Sequence, residues 1–260
     1  MENYLYLIKK DEIGTIYINR PEKKNAFNKN MWETLIGLLE IADQDSEIKV
    51  LVIRGEDSSA FVSGADMSEF HEFKTGEQRA EINEKYTARA LEMLKQFRKP
   101  TIAMIQKYCI GAGCAIAVAC DFRFSDDQGV FAITPSKIGL VYSFNSTKQL
   151  IDLIGSANGK YLLMSGERID AYQAAEMGLV HQVFSSEELE LETYQFARIL
   201  CSRSQSSLRG MKRIIGLVTE GIIEDNEETK RLVMESYTSD DHKEGVASFL
   251  EKRKPKFSYS

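Results

Sequence analysis

The sequence predicts an α/β fold, because short apolar strand patterns alternate with helical patterns along most of the chain. After Glu187 the strand patterns stop, and only amphipathic helical patterns follow. We therefore predict an α/β core over residues 1–195 and a helical C-terminal region over residues 196–260.

The individual elements follow from hydrophobic period and from the residues that interrupt it. The stretch IGTIYIN alternates as a half-buried strand does, and the other strand candidates are short apolar runs. The predicted strands are 13–19, 49–55, 100–106, 121–125, 130–133 and 178–184. Helical periodicity predicts helices at 31–42, 78–97, 112–120, 189–201, 208–218, 227–237 and 243–251.

Composition narrows the possible functions. The 260 residues include 33 basic and 39 acidic side chains, giving a net charge of −6, so nucleic acid is not expected as a ligand. No apolar run is long enough for a membrane helix and no secretory signal is recognisable, so we expect a cytoplasmic protein. Four cysteines have spacings that fit neither a CxxC pair nor a zinc site, and no metal is expected.

The stretch YCIGAGCAIAVACDFRF, residues 108–124, combines small residues with a long uncharged run. Gly111 precedes a predicted helix whose first N–H groups would lie unpaired at the positive end of the helix dipole. Small side chains there would let a ligand approach the main chain closely. The alternative is a buried helix that needs small residues only for tight packing against a sheet.

A second segment, FVSGADMSEF at 61–70, also passes through a glycine into a predicted helix start, with Asp66 as a candidate N-cap. Two such turns could each direct one main-chain N–H at a single oxygen atom. Paired donors of this kind form an oxyanion hole, which here would stabilise an enolate formed from a thioester.

These segments, with others, resemble the crotonase superfamily, the enoyl-CoA hydratase/isomerase group. The matching stretches occur in the family's order and read NRPEKKNAFN, FVSGADM, KPTIAMIQKYCIGAGCAIAVACDFRF, ITPSKIGL, RIDAYQAAEMGLVHQV and FLEKRKPKF. The resemblance implies a spiral of ββα units with a helical C-terminal trimerisation region, often assembled into hexamers. It also implies acyl-CoA thioester substrates of the kind met in fatty acid metabolism, with no cofactor beyond the coenzyme A of the substrate.

The resemblance assigns roles to particular residues. It places the two oxyanion N–H groups on Ala65 and Ala112, which follow Gly64 and Gly111. It implies that coenzyme A contacts a loop and the turn beside it, at Lys23, Lys24, Ala26, Asp66 and Met67.

Two further residues lie in the basic tail. Phe249 and Lys252 match positions that reach the nucleotide end of coenzyme A from a neighbouring subunit in a homotrimer or hexamer. The ammonium group of Lys252 could meet a phosphate there. The alternative for this tail is a solvated helix end.

The chain departs from the family where hydratases carry two glutamates. These positions hold Ala115 and Pro135, and shifting the second by one residue gives Ser136. None of these side chains can transfer the protons that hydration requires. The resemblance therefore supports the fold and the substrate class better than it supports a hydratase.

Tyr142 occupies a position where decarboxylases resembling methylmalonyl-CoA decarboxylase place a tyrosine. Decarboxylation generates an enolate without a base, and a nearby carboxylate would repel the leaving carboxylate. A tyrosine could hold that group or donate a proton. The alternatives are that Tyr142 only packs in the core, or that the protein binds CoA esters without turning them over.

Other titratable residues are weaker candidates. Glu69 and Glu72 follow the first glycine turn, and a solvated helix face is expected for them. No acidic partner is evident for His71, His181 or His242, so structural roles are expected for all three.

Overall fold

A computed structural model describes residues 4–71 and 75–258 of the chain. Its main element is a six-stranded sheet with strand order β1-β2-β3-β4-β6-β9. A smaller sheet has the order β5-β7-β8. The strands are β1 (Leu5–Lys10), β2 (Ile13–Ile18), β3 (Val50–Gly55), β4 (Thr101–Ile105), β5 (Tyr108–Ile110), β6 (Phe122–Asp126), β7 (Val130–Ala132), β8 (Ile169–Asp170) and β9 (Gln182–Phe184).

The helices surround these sheets and then continue alone to the C-terminal end. They are α1 (Lys29–Gln44), α2 (Gly76–Ile82), α3 (Arg89–Lys95), α4 (Ala112–Ala119), α5 (Phe144–Lys160), α6 (Ala171–Glu176), α7 (Leu189–Cys201), α8 (Gln205–Thr219), α9 (Glu227–Thr238) and α10 (Asp240–Leu250). No helix of the described ranges is both long and apolar enough to cross a membrane.

The large sheet is buried on both faces. Strand β1 pairs antiparallel with β2, and the remaining neighbours pair in parallel. In β3, Leu51 and Ile53 join a core with α1 and α4, whereas Val50 and Val52 join a second core with α7. This two-sided burial explains why β3 and β4 are continuous apolar runs rather than alternating ones.

The predicted α/β alternation and the helical C-terminal region are confirmed, with differences in detail. The predicted helix at 78–97 consists of α2, a π-helical turn at Asn83–Ala88 and α3. The strand predicted at 100–106 does not lead directly into the small-residue helix, because the separate strand β5 lies between them. The sequence patterns did not predict the strands β1, β5 and β8 or the helices α5 and α6, and of these β5 and β8, with three and two residues, are too short to show a period.

The small-residue helix α4 packs closely against Val62, a residue that is also hydrogen-bonded to strand β5. Val62 bonds to both ends of β5, through Val62 N–H to Tyr108 O at 2.9 Å and Ile110 N–H to Val62 O at 2.9 Å. A Cβ atom on Gly113 would lie only 2.5 Å from the same Val62 oxygen. The close approach of α4 to residue 62 therefore requires glycine at position 113.

A buried lysine, Lys99, hydrogen-bonds to main-chain carbonyl groups at the C-terminal end of α1. The Lys99 ammonium group donates to Ala42 O at 2.6 Å and to Asp45 O at 2.7 Å, and its side chain is buried. Burial lowers the pKa of Lys99 to about 8. Carbonyl groups at a helix C-terminus are favourable partners for a cation, but here burial outweighs that gain.

We expect Gly113→Ala to destabilise the protein by about 1–3 kcal/mol, because the added methyl group forces α4 away from Val62. The matched control is Gly37→Ala within α1, where a Cβ atom meets nothing within 4 Å. That control should be neutral or stabilising by up to about 1 kcal/mol. Urea unfolding of both variants checks this, and equal effects would contradict the close packing at Gly113.

Lys99 should also make stability depend on pH. Between pH 8 and its ordinary value of 10.5, the unfolded chain binds a proton on Lys99 more readily than the folded protein does. The free energy of unfolding should therefore rise with pH in this window, by up to about 1.4 kcal/mol per pH unit from this group. Lys99→Met removes this contribution. The free energy of unfolding of wild type minus that of the variant, measured by urea unfolding, should therefore increase from pH 8 to pH 10. A difference independent of pH would contradict this.

Candidate functional site

Two glycine turns lie side by side at the start of α4. Gly64 has φ of 124° and Gly111 has φ of 53°, values that favour glycine over residues with a side chain. A Cβ atom built on Gly111 would lie 3.8 Å from the Gly64 Cα atom. The structure thus brings Gly64 and Gly111, the glycines that precede Ala65 and Ala112, into proximity although 47 positions separate them (111 − 64).

Among the described residues, two main-chain N–H groups at these turns have no hydrogen-bond acceptor. Gly111 N–H donates to Ala132 O at 2.8 Å, and Asp66 N–H donates to Phe27 O at 2.8 Å. Within residues 4–71 and 75–258, no acceptor is found for the N–H of Ala65 or for that of Ala112. Ala112 is the first residue of α4, so its N–H lies at the positive end of the helix dipole.

The predicted coenzyme A loop runs alongside the first turn. Ser63 N–H donates to Lys24 O at 3.1 Å, and Phe27 N–H donates to Gly64 O at 2.8 Å. Lys23 and Lys24 are exposed, and Ala26 is half-buried between them and Phe27. The Lys24 ammonium group lies 4.7 Å from the centre of the Tyr108 ring. The Lys24 cation therefore lies beside β5, the strand that leads into the second glycine turn.

A residue that the sequence did not single out holds this loop in shape. The buried Asn25 accepts from Arg20 N–H at 2.8 Å and donates to Ala60 O at 2.7 Å. Both Lys24 and Asn25 have positive φ, 49° and 57°. Asparagine tolerates this conformation better than most residues, which was the available sequence clue.

The Asp66 carboxylate is occupied by contacts within the protein. Its carboxylate lies 2.7 Å from the Arg20 guanidinium and accepts from Ser68 N–H at 3.0 Å and Ser68 Oγ–H at 2.6 Å. Burial acts to raise the pKa of Asp66, but the Ser68 and Arg20 contacts outweigh it and hold that pKa below its ordinary value. The side chain thus caps the short helical turn Met67–His71, and Met67 is exposed on that turn.

Ala115 and Pro135, which the resemblance matches to the family's glutamates, lie in two different elements. Ala115 is buried in α4 about one turn after Ala112, and Pro135 opens the short turn Pro135–Ile138. Glu69 is not on a solvated face, because its carboxylate accepts Lys29 N–H at 2.9 Å at the start of α1. Glu72 and the side chain of His71 lie outside the described residues.

Tyr142 packs beside α4. Its ring is half-buried against the core that contains α4. Burial raises the pKa of Tyr142, the Cys114 thiol of α4 adds to this, and a hydrogen bond with Ser146 acts in the opposite direction. The phenol is therefore neutral at physiological pH and is available as a hydrogen-bond donor near the first turns of α4.

The remaining predicted residues are elsewhere. Phe249 is 82% exposed near the end of α10, and Lys252 follows it with φ of 53°. Helix α10 packs mainly on α9. His181 accepts the Arg123 main-chain N–H at 3.3 Å, and His242 packs edge-on against Tyr237.

Comparisons with known proteins identify the family. The crotonyl-CoA hydratase of Syntrophomonas wolfei is 29% identical over 259 residues, covering 97% of this chain and 97% of that protein. A solved enoyl-CoA hydratase/isomerase family protein from Hyphomonas neptunium superimposes with a TM-score of 0.95 at 32% identity, covering 99% of this chain and 98% of that one.

A second solved structure agrees with the first. The enoyl-CoA hydratase from Bacillus anthracis superimposes with a TM-score of 0.90 at 26% identity, covering 99% of this chain and 100% of its own. A sequence model of the enoyl-CoA hydratase/isomerase family matches residues 9–260. The chain therefore has the crotonase fold and belongs to the enoyl-CoA hydratase/isomerase family.

Proposed function

We propose that this protein is an enzyme that stabilises the enolate of an acyl-CoA thioester between the N–H groups of Ala65 and Ala112. The observation that carries the proposal is the contact of two positive-φ glycine turns, each followed by an N–H for which the described residues offer no acceptor. Negative charge develops on the thioester oxygen as the enolate forms. Fixed donors aimed at that oxygen stabilise it without any ionised side chain.

The rigidity of the two turns supports this role. Val62 and Phe27 hold the first turn by main-chain hydrogen bonds from both sides, and Gly113 lets α4 approach Val62 closely. A donor that is already fixed costs no reorganisation when charge develops in the transition state. The dipole of α4 adds positive potential at Ala112.

Coenzyme A binding is assigned to the loop that borders the first turn. The exposed Lys23 and Lys24 supply cations for phosphate groups, and Ala26, Asp66 and Met67 contribute the adjoining backbone. Phe249 and Lys252 would complete the site from a neighbouring copy in a homotrimer or a hexamer. Exposed apolar side chains on the C-terminal helices support such assembly, namely Met211, Ile215, Met234, Tyr237, Phe249 and Leu250.

The residues that the resemblance matches to the family's two glutamates limit which reaction can occur. Alanine and proline at 115 and 135 provide no general acid or base, so efficient hydration is not expected. The neutral phenol of Tyr142 near α4 favours decarboxylation as a second candidate. Loss of carbon dioxide would leave the electron pair as the enolate, and a phenol could hydrogen-bond the departing carboxylate.

Turnover of three thioesters separates the candidate reactions. Purified protein given crotonyl-CoA, a 3-enoyl-CoA and methylmalonyl-CoA should release carbon dioxide from the last and hydrate the first only slowly. Hydration at the rate of an ordinary hydratase would contradict the interpretation of Ala115 and Pro135. If none of the three esters is turned over but coenzyme A still binds, the result would favour a binding protein without catalytic activity.

Tyr142→Phe tests the phenol directly. We expect decarboxylation to fall at least about tenfold with ester binding retained, because the donor for the carboxylate is lost while the ring still packs. Tyr172→Phe, at an exposed tyrosine on α6, is the matched control and should leave the rate unchanged. If Tyr142→Phe and wild type decarboxylate at equal rates, the phenol has no part in the reaction and Tyr142 only packs in the core.

Ala112→Pro removes one proposed oxyanion donor and little else, because proline is tolerated at the first position of a helix. Its loss should cost roughly 3 kcal/mol of transition-state stabilisation, on the order of a hundredfold in kcat. Glu227→Pro, at the exposed first position of α9, controls for proline at a helix start. An unchanged rate in a folded Ala112→Pro protein would exclude Ala112 as the donor.

A further inference from the structure

Arg123 is a buried cation that sits under the far end of α4. It lies on β6, and only 3% of its surface is exposed. Neighbouring Phe122 and Phe124 face α7, so alternation along the strand turns Arg123 towards α4 on the opposite face of the sheet. Keeping a guanidinium group there costs desolvation, which has to be offset by its hydrogen bonds.

The shorter of those hydrogen bonds go to main-chain carbonyl groups, and Nη2 also lies 3.5 Å from Nδ1 of His181. Nη1 donates to Cys120 O at 2.5 Å and to Ala117 O at 3.3 Å, at the C-terminal end of α4. Nε donates to Leu179 O at 2.9 Å in the turn after α6. The planar guanidinium group therefore ties the last turn of α4 to a separate segment of the core. Its charge also lies at the negative end of the α4 dipole, where a cation is favourable.

Close packing and the Cys114 thiol, which donates to Cys109 O at 2.8 Å, also hold helix α4, but no ion pair of its own fixes it along its axis. It has eight residues, and none of its side chains is charged. The Gly113 contact with Val62 limits movement of its first turn, and Arg123 binds its last carbonyls. With a rise of about 1.5 Å per residue, Ala112 lies on the order of 12 Å from the Cys120 carbonyl. Displacing the helix at one end displaces the N–H at the other.

We propose that Arg123 is a positioning residue that fixes α4 along its axis and so places the Ala112 N–H at the thioester oxygen. The inference rests on the proposed role of Ala112 as an oxyanion donor. Arg123 itself touches no reacting atom. An error of about 1 Å in the position of a catalytic group can cost on the order of a hundredfold in rate, so the effect is measurable.

The test reads the polarisation of a bound carbonyl group rather than stability. Butyryl-CoA carrying ¹³C at its thioester carbonyl is bound to the full-length protein, and isotope-edited infrared difference spectra give the carbonyl stretching frequency. Wild type should shift this frequency downwards, and Ala112→Pro should remove part of the shift. Arg123→Met should lose a similar part of the frequency shift. Its affinity for coenzyme A should stay within about twofold of wild type, and its kcat for the thioester that wild type turns over should fall at least about tenfold.

Two further variants separate positioning from folding. Arg123→Lys keeps the charge but cannot bridge Cys120, Ala117 and Leu179 at once, so it should also lose part of the shift. Arg54→Lys is the matched control, because Arg54 is a buried arginine on β3 whose guanidinium pairs with Glu190 of α7 and not with α4. It should lower the melting temperature and leave the frequency unchanged.

The outcomes distinguish the two proposals. A wild-type shift that persists in full in folded Arg123→Met overturns the positioning role alone. If Arg123→Met does not fold, the same full shift in Arg123→Lys overturns it. Absence of any shift in wild type overturns the oxyanion proposal and the positioning role with it. A loss of shift equal in Arg54→Lys and Arg123→Lys also overturns the positioning role, because it would reflect general destabilisation.

Discussion

The hydrogen bonds that residues 62–66 make on both sides are the constraint on which the proposed site depends. On one side Phe27 bonds to the main chain of Gly64 and Asp66, and on the other side Val62 bonds to β5. The segment is thus held like a central strand although only isolated bridges mark it. Because β5 leads into α4, the same bonds that hold the loop also set where the helix begins.

This arrangement explains why the uncharged stretch has such small residues. Glycine is required at 111 by its positive φ and at 113 by the Val62 oxygen, for two different physical reasons. The thiols of Cys109 and Cys120 are fully buried, and burial raises both pKa values. These thiols flank α4, which itself has no acidic or basic side chain, so the segment suits stabilisation of charge by dipoles alone.

Much of this could be predicted from sequence, and what could not has a common cause. The α/β alternation, helix α7 and the two glycine turns follow from local patterns that survive in the fold. The roles of Asn25 and Arg123 could not be found in this way, because each joins a distant segment through a main-chain carbonyl, Ala60 O or Leu179 O, which carries no residue signature. The contact of Glu69 is likewise invisible in the sequence, because its partner is the main-chain N–H of Lys29 in a different segment.

The packing of α7 bears on how the chain can be divided. The predicted boundary between residues 195 and 196 falls inside this helix, whose Leu189, Ala197 and Leu200 cover Val50, Val52 and Met104 on one face of the large sheet. A fragment ending there would leave a strip of that face open to water and prone to self-association. Split or circularly permuted forms of the protein would therefore keep α7 with the strands and place any new terminus beyond Cys201.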